Sequence, residues 1–90
     1  MGEVAERISR KLEAAFSPQS LTVRDDSAKH AGHAGARPGG ETHFEVAITA
    51  EAFAGMSRLE RQRRVNAVLK EELADRVHAL ALKLRAPDEA

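Results

Sequence analysis

The sequence predicts an α+β domain, a two-layer sandwich in which helices cover one face of a three-stranded sheet. Three observations carry that prediction. Val4, Ile8, Leu12 and Phe16 recur at four-residue spacing, which makes one apolar helix face. Three short stretches carry the apolar spacing of strands in a half-buried sheet. A capping signal, Ser57 with Glu60 three residues on, opens a further helix between the second and third of them. The order is helix, strand, strand, short helix, helix, strand (α-β-β-α-α-β), and elements with matching apolar faces stack in two layers.

The first helix has Ala5 and Ala15 beside its apolar row and stops at Ser17-Pro18, because proline cannot continue a helix and disfavours helix in the residue before it. In "LTVRDD", Leu21 and Val23 alternate with Thr22 and Arg24 as a strand with one buried face. Residues 27–42 hold four glycines, one proline and no apolar periodicity; they read as a flexible loop of a length that is usually functional or disordered. "HFEVAIT" is the second strand, with Phe44, Val46 and Ile48 on one side and His43, Glu45, Ala47 and Thr49 on the other. "AEAFAG" reads as a short helical turn closed by Gly55, and the capped helix then runs to about Ala74. Leu59, Val65, Val68, Leu69 and Leu73 define its buried arc at roughly 100° per residue. Gln62 falls inside that arc, where an amide needs a hydrogen-bond partner such as backbone or solvent. "VHALALKLR" is the third strand. Its apolar residues on both parities predict a central place in the sheet. Pro87 and the acidic tail end the fold. The chain therefore reads as a single domain over 1–90, with a core of about 4–86, the loop 27–42 and a short tail 87–90.

Composition narrows the function. The chain has 90 residues, 14 basic and 14 acidic side chains and no cysteine. No disulfide can staple it, and a chain this short builds one thin core. Zero formal net charge and three aromatic residues argue against a general polyanion binder, though not against a local basic patch. No apolar run reaches membrane-spanning length. The N-terminus lacks the apolar stretch of a signal peptide and is too acidic for a transit peptide, so a cytoplasmic location is expected.

The candidate chemistry lies in histidines and arginines. His30 and His33 stand three apart in "HAGHAG", and His43 and His78 each stand at the start of a strand. Neutral imidazole is the commonest protein metal ligand. Spacing alone weighs a hydrogen-bonded or exposed role above ligation for any one of the four. Arg58, Arg61, Arg63 and Arg64 open the long helix, where the helix dipole favours acids. They form either a solvated face compensated by Glu60, Glu71 and Glu72 or a site for phosphate or an acidic partner. Asp25, Asp26 and Ser27 read as strand end and turn. Gly32-His33-Ala34-Gly35 has the letters of the KH-domain Gly-x-x-Gly loop, but that loop joins two helices and this one joins two strands. No nucleophile elbow or phosphate loop is present, so an enzymatic activity is not expected.

Four ordered pieces, Glu41-Thr42-His43-Phe44, the Phe53-x-Gly55 turn, Arg61-x-Arg63 and Val77-His78-Ala79-Leu80, resemble the BolA family over about residues 4–87. The resemblance implies a fold similar to class II KH domains. It also implies pairing with a monothiol glutaredoxin of the Cys-Gly-Phe-Ser type, the two proteins sharing a 2Fe–2S cluster that the isolated chain does not bind. In that arrangement the glutaredoxin cysteine and a glutathione thiolate hold one side. His78, from the Val-His-Ala-Leu motif, holds the other with a ligand from the loop. His30 matches the family's loop histidine by position, and His33 is a rival on the same loop. The resemblance further implies a role in iron–sulfur trafficking or iron and redox regulation. Alternatively it implies a DNA-binding transcription regulator, linked to stress and cell shape, that uses Arg58, Arg61, Arg63 and Arg64. Alone, the chain is expected to be a monomer or weak homodimer without membrane contact. Gln62 stands where the family commonly has histidine; it keeps a hydrogen bond but neither titrates nor ligates as imidazole does.

Overall fold

The structure, a computed structural model, describes residues 2–26, 43–75 and 77–89. Helix α1 spans Glu3–Phe16. Strands β1 (Ser20–Asp25) and β2 (His43–Thr49) follow, then a 3₁₀ turn at Glu51–Phe53. Helices α2 (Arg58–Val68) and α3 (Lys70–Ala74) lead to strand β3 (Ala79–Arg85) and a closing 3₁₀ turn at Pro87–Glu89. The α+β class and the α-β-β-α-α-β order both stand.

Helix α1 ends where proline required. Ser17 takes a left-handed conformation, φ 45°, and its N–H donates to the Glu13 carbonyl. The buried row of α1 is Val4, Ala5, Ile8, Leu12 and Phe16. It lies on Phe44, Val46 and Ile48 of β2, with Phe53, Val65, Leu69 and Val77 completing the core. Phe16 and Phe53 meet with ring centroids 4.9 Å apart at 40°, a tilted pairing that aromatic rings favour. Gly55 has φ +78°, so the turn into α2 uses the backbone freedom that glycine alone has without strain. Ser57 and Glu60 then form the expected reciprocal cap: the Ser57 hydroxyl accepts from the Glu60 N–H and the Glu60 carboxylate from the Ser57 N–H.

The sheet order is β1-β2-β3. β1 pairs antiparallel with β2, from Ser20↔Thr49 to Asp25↔Phe44. β3 pairs parallel with β2, from His43↔Ala79 to Thr49↔Arg85. This corrects the expectation that β3 is central. β2 holds the centre, and β3 lies at an edge with Ala79, Ala81, Lys83 and Arg85 exposed. Small alanines on its outer parity had imitated the two-sided apolar pattern of a central strand.

The second half differs from the expected helix in two ways. The helix predicted to reach Ala74 is two, with a break at Leu69 (φ −99°, ψ 18°). Leu59, placed in the buried arc, is 54% exposed. The buried row of α2 runs instead through Arg61, Val65 and Leu69, and Leu59 lies two residues, or roughly 200°, from Arg61.

Candidate functional site

The parallel register sets the first half of the site. Because His43 pairs with Ala79, the residue before Ala79 falls beside the start of β2. The rings of His43 and His78 are 5.5 Å apart between centroids, tilted by 53°. His43 is buried and His78 is exposed. The Asp26 N–H donates to the His43 carbonyl at 2.7 Å, which fastens the end of β1 beside the same place. Reading the chain as a sequence put both histidines at strand starts without bringing them together. The missing signal was the parallel pairing, which sets two strand starts side by side. His30 and His33 lie outside the described residues. Among the described residues no group of three or more potential metal-ligating side chains converges. His78 can therefore offer an accessible imidazole, backed by a second ring, and a complete metal shell needs donors from elsewhere.

The arginine cluster is not one surface. Arg58, Arg63 and Arg64 are exposed. Arg61 is buried and turned inward, so it does not join them as a nucleic-acid contact. Its Nε donates to the Met56 carbonyl at 3.0 Å and its Nη1 to the Leu84 carbonyl at 3.2 Å. Both terminal nitrogens grip the Glu89 carboxylate, at 2.6 and 2.7 Å. The guanidinium also stands 6.0 Å from the centre of the Phe53 ring. This fork holds the Glu89 carboxyl down at about 2, with the Ala86 N–H as the second cause, and the pair raises Arg61 above its ordinary value. The expected compensation of the cluster by Glu71 and Glu72 does not occur. Those residues turn to α1, where Lys11 reaches both and Arg7 reaches Glu72. Gln62 is half-buried and lines a hollow of about 490 Å³ between α2 and β3. Among the described residues, no buried side-chain nitrogen or oxygen lacks a hydrogen-bond partner.

With this geometry in hand, the comparisons with known proteins are specific. Residues 12–89 match the family described as BolA-like protein. The chain belongs to the BolA family. It is 47% identical over 87 residues to human BolA-like protein 1, covering 97% of this chain and 61% of that protein. The chain thus spans about three fifths of the length of that relative. It is 44% identical over 79 residues to the DNA-binding transcriptional regulator BolA of Escherichia coli strain K12, covering 88% of this chain and 71% of the relative. Among solved structures, the BolA domain of SufE1 from Arabidopsis thaliana superposes with a TM-score of 0.90 at 39% identity, over 100% of this chain and 99% of that one. Among the described residues no helix is long and apolar enough to cross a membrane.

Proposed function

We propose that this BolA-like chain is an adaptor that binds a monothiol glutaredoxin of the Cys-Gly-Phe-Ser type and shares a bridging 2Fe–2S cluster with it, in iron–sulfur trafficking or iron and redox regulation. The observation that carries the reading is the exposed His78 imidazole backed by His43 at 5.5 Å. The stretch that bears His30 and His33 is joined to the sheet at Asp26 and His43, beside that ring. A ligand on an open strand end can be reached by metal that a partner carries in. Imidazole suits such a handover: it binds as the neutral ring and leaves when protonated, so the shared assembly loosens as pH falls. Two imidazoles in place of two thiolates also remove negative charge and raise the cluster's potential, as in Rieske centres.

The test is reconstitution of the chain with a monothiol glutaredoxin, iron, sulfide and glutathione. His78→Ala abolishes the visible absorption and circular dichroism of the pair; an unchanged spectrum refutes the role of His78. Comparing His30→Ala with His33→Ala identifies the loop ligand, and His30 is the expected one. If neither change alters the spectrum, the loop histidines are not ligands.

A second reading, a DNA-binding regulator, draws on the name of the bacterial relative and on the exposed Arg58, Arg63 and Arg64. The neutral net charge weighs against it. Binding to a defined duplex with a steep salt dependence, as phosphate contacts produce, would favour it.

A further inference from the structure

Four consecutive residues of β3, Leu82, Lys83, Leu84 and Arg85, line the hollow of about 490 Å³ whose far wall is α2. Neighbouring side chains of a strand point to opposite faces, so a hollow touched by four in a row lies against the strand's edge. The backbone directions agree. The Arg85 carbonyl accepts from the Ala50 N–H, on the β2 side. Carbonyls alternate along a strand, so that of Leu84 faces away from β2, and there it accepts from Arg61. Two residues on, the Ala86 N–H donates to the Glu89 carboxylate at 3.0 Å. A strand laid alongside would place one residue here, donating to the Leu84 carbonyl and accepting from the Ala86 N–H. The Arg61–Glu89 pair does both, with donor and acceptor locked together by the fork. It stands where one residue of a fourth strand would stand, and so blunts an edge that would otherwise pair. By the same alternation the polar backbone groups of Leu80 and Leu82 face the rest of that edge.

Among the described residues, basic side chains outnumber acids around the hollow: Arg58, Arg61, Lys83 and Arg85 line it with Glu89, and Asp88 lies near enough to act on Arg61. Arg58, Lys83 and Arg85 are exposed on the walls. Lys83 stands 3.7 Å from Glu45, while Arg58 and Arg85 form no ion pair among the described residues. Among the described residues, the one acid lining the hollow is Glu89, already taken by Arg61. Arg61 is 9% exposed at its side chain and Glu89 42%, so the acid is the half of the pair that can leave.

We propose that the free edge of β3 accepts an extended acidic segment of a partner protein as a fourth strand. Glu89 is a resident stopper that a carboxylate of the incoming segment displaces from Arg61. Main-chain hydrogen bonds would give such a complex its affinity and the basic walls its preference for acids. The Arg61–Glu89 pair lies at the opposite end of β3 from His78, and strand pairing along this edge uses no histidine side chain, so the proposal does not depend on the glutaredoxin reading.

The experiment uses the full, ¹⁵N-labelled chain and a fluorescent synthetic peptide of alternating valine and glutamate. Two controls are the same peptide with lysine for glutamate and the acidic peptide N-methylated at alternate residues. The acidic peptide is expected to bind, shifting the Leu80, Leu82 and Leu84 amides, while both controls bind at least about tenfold more weakly. Glu89→Ala tightens binding about threefold or more, and Arg85→Glu weakens it by a similar factor. Equal binding by either control overturns the proposal, as do amide shifts confined to another face. Displacement of the peptide from these amides by a single-stranded oligonucleotide that binds more tightly would assign the edge to nucleic acid and overturn it as well. The wild-type arms need no variant to fold.

Discussion

Glu72 and Arg61 are both withdrawn from solvent, yet the two charges are held in opposite ways. At Glu72 the buried partner is the anion. Arg7 and Lys11 reach it at 2.8 and 2.9 Å from α1, with side chains 40% and 30% exposed. At Arg61 the buried partner is the cation, and its acid comes from a 3₁₀ turn at the end of the chain. The first knot ties two helices through two cations at once, and opening it leaves the buried Glu72 carboxylate without partners. The second ties a helix to a short turn, and its carboxylate, 42% exposed at the side chain, can swing into water. One is a staple and the other a latch. Both use charge for the same reason: a thin core without disulfides leaves the ends of its elements to polar ties.

The largest expected effect tests the staple. Glu72→Ala removes a buried anion and its charge-assisted hydrogen bonds from Arg7 and Lys11, whose ends stay partly exposed, at a cost of about 2 kcal/mol. The chain should show this as a clear fall in urea midpoint. Glu89→Ala should move that midpoint less. Equal losses would erase the distinction between staple and latch.

Acid titration sharpens it next. Glu89 is lowered from 4.5 to about 2 by the Arg61 fork and the Ala86 N–H. A carboxyl depressed in the folded state contributes stability that is present above its ordinary value and is lost as pH falls toward the folded one. Burial pushes Glu72 up, but hydrogen bonding from Lys11 and the backbone, with the charges of Lys11 and Arg7, outweighs it and leaves the carboxyl lowered. Thermal melts should therefore decline as pH falls below about 4.5 and toward 2. Glu89→Gln should remove part of that decline and leave the part belonging to Glu72. A variant with the wild-type slope would mean that the latch carries none of it.

The smallest effect probes what holds Arg61 in place. The capping box fixes the first turn of α2, and the Arg61 N–H donates to the Ser57 carbonyl at 3.1 Å. Ser57→Ala should cost about 1 kcal/mol. If the latch depends on that turn, the variant should also loosen Glu89, seen as a rise in its carboxyl pKa by NMR.

Much of the fold was legible in the chain as written. The row Val4, Ile8, Leu12, Phe16, the alternation in "HFEVAIT", the stop at Pro18 and the cap at Ser57 each rest on contacts within a few residues, so local pattern reports them faithfully. The histidines were legible as candidates for the same reason, and so was the oddness of an arginine cluster at a helix start. Errors arose where a distant partner decided the outcome. Leu59 and Arg61 exchanged expected places because Glu89, 28 residues on, and the Leu84 carbonyl satisfy a buried guanidinium. An unpartnered arginine would have had to stay outside.

The sequence by itself determined the α+β class, the order of elements, the bounds of β2 and the motifs that place the chain in its family. Tertiary structure alone decided that β2 is central, that His43 lies behind His78, and that Arg61 serves the end of the chain instead of the basic face. Periodicity records which face of an element is apolar. Strand order, ring pairing and the burial of a charge depend on which remote element supplies the matching surface, and no short window of residues contains that information.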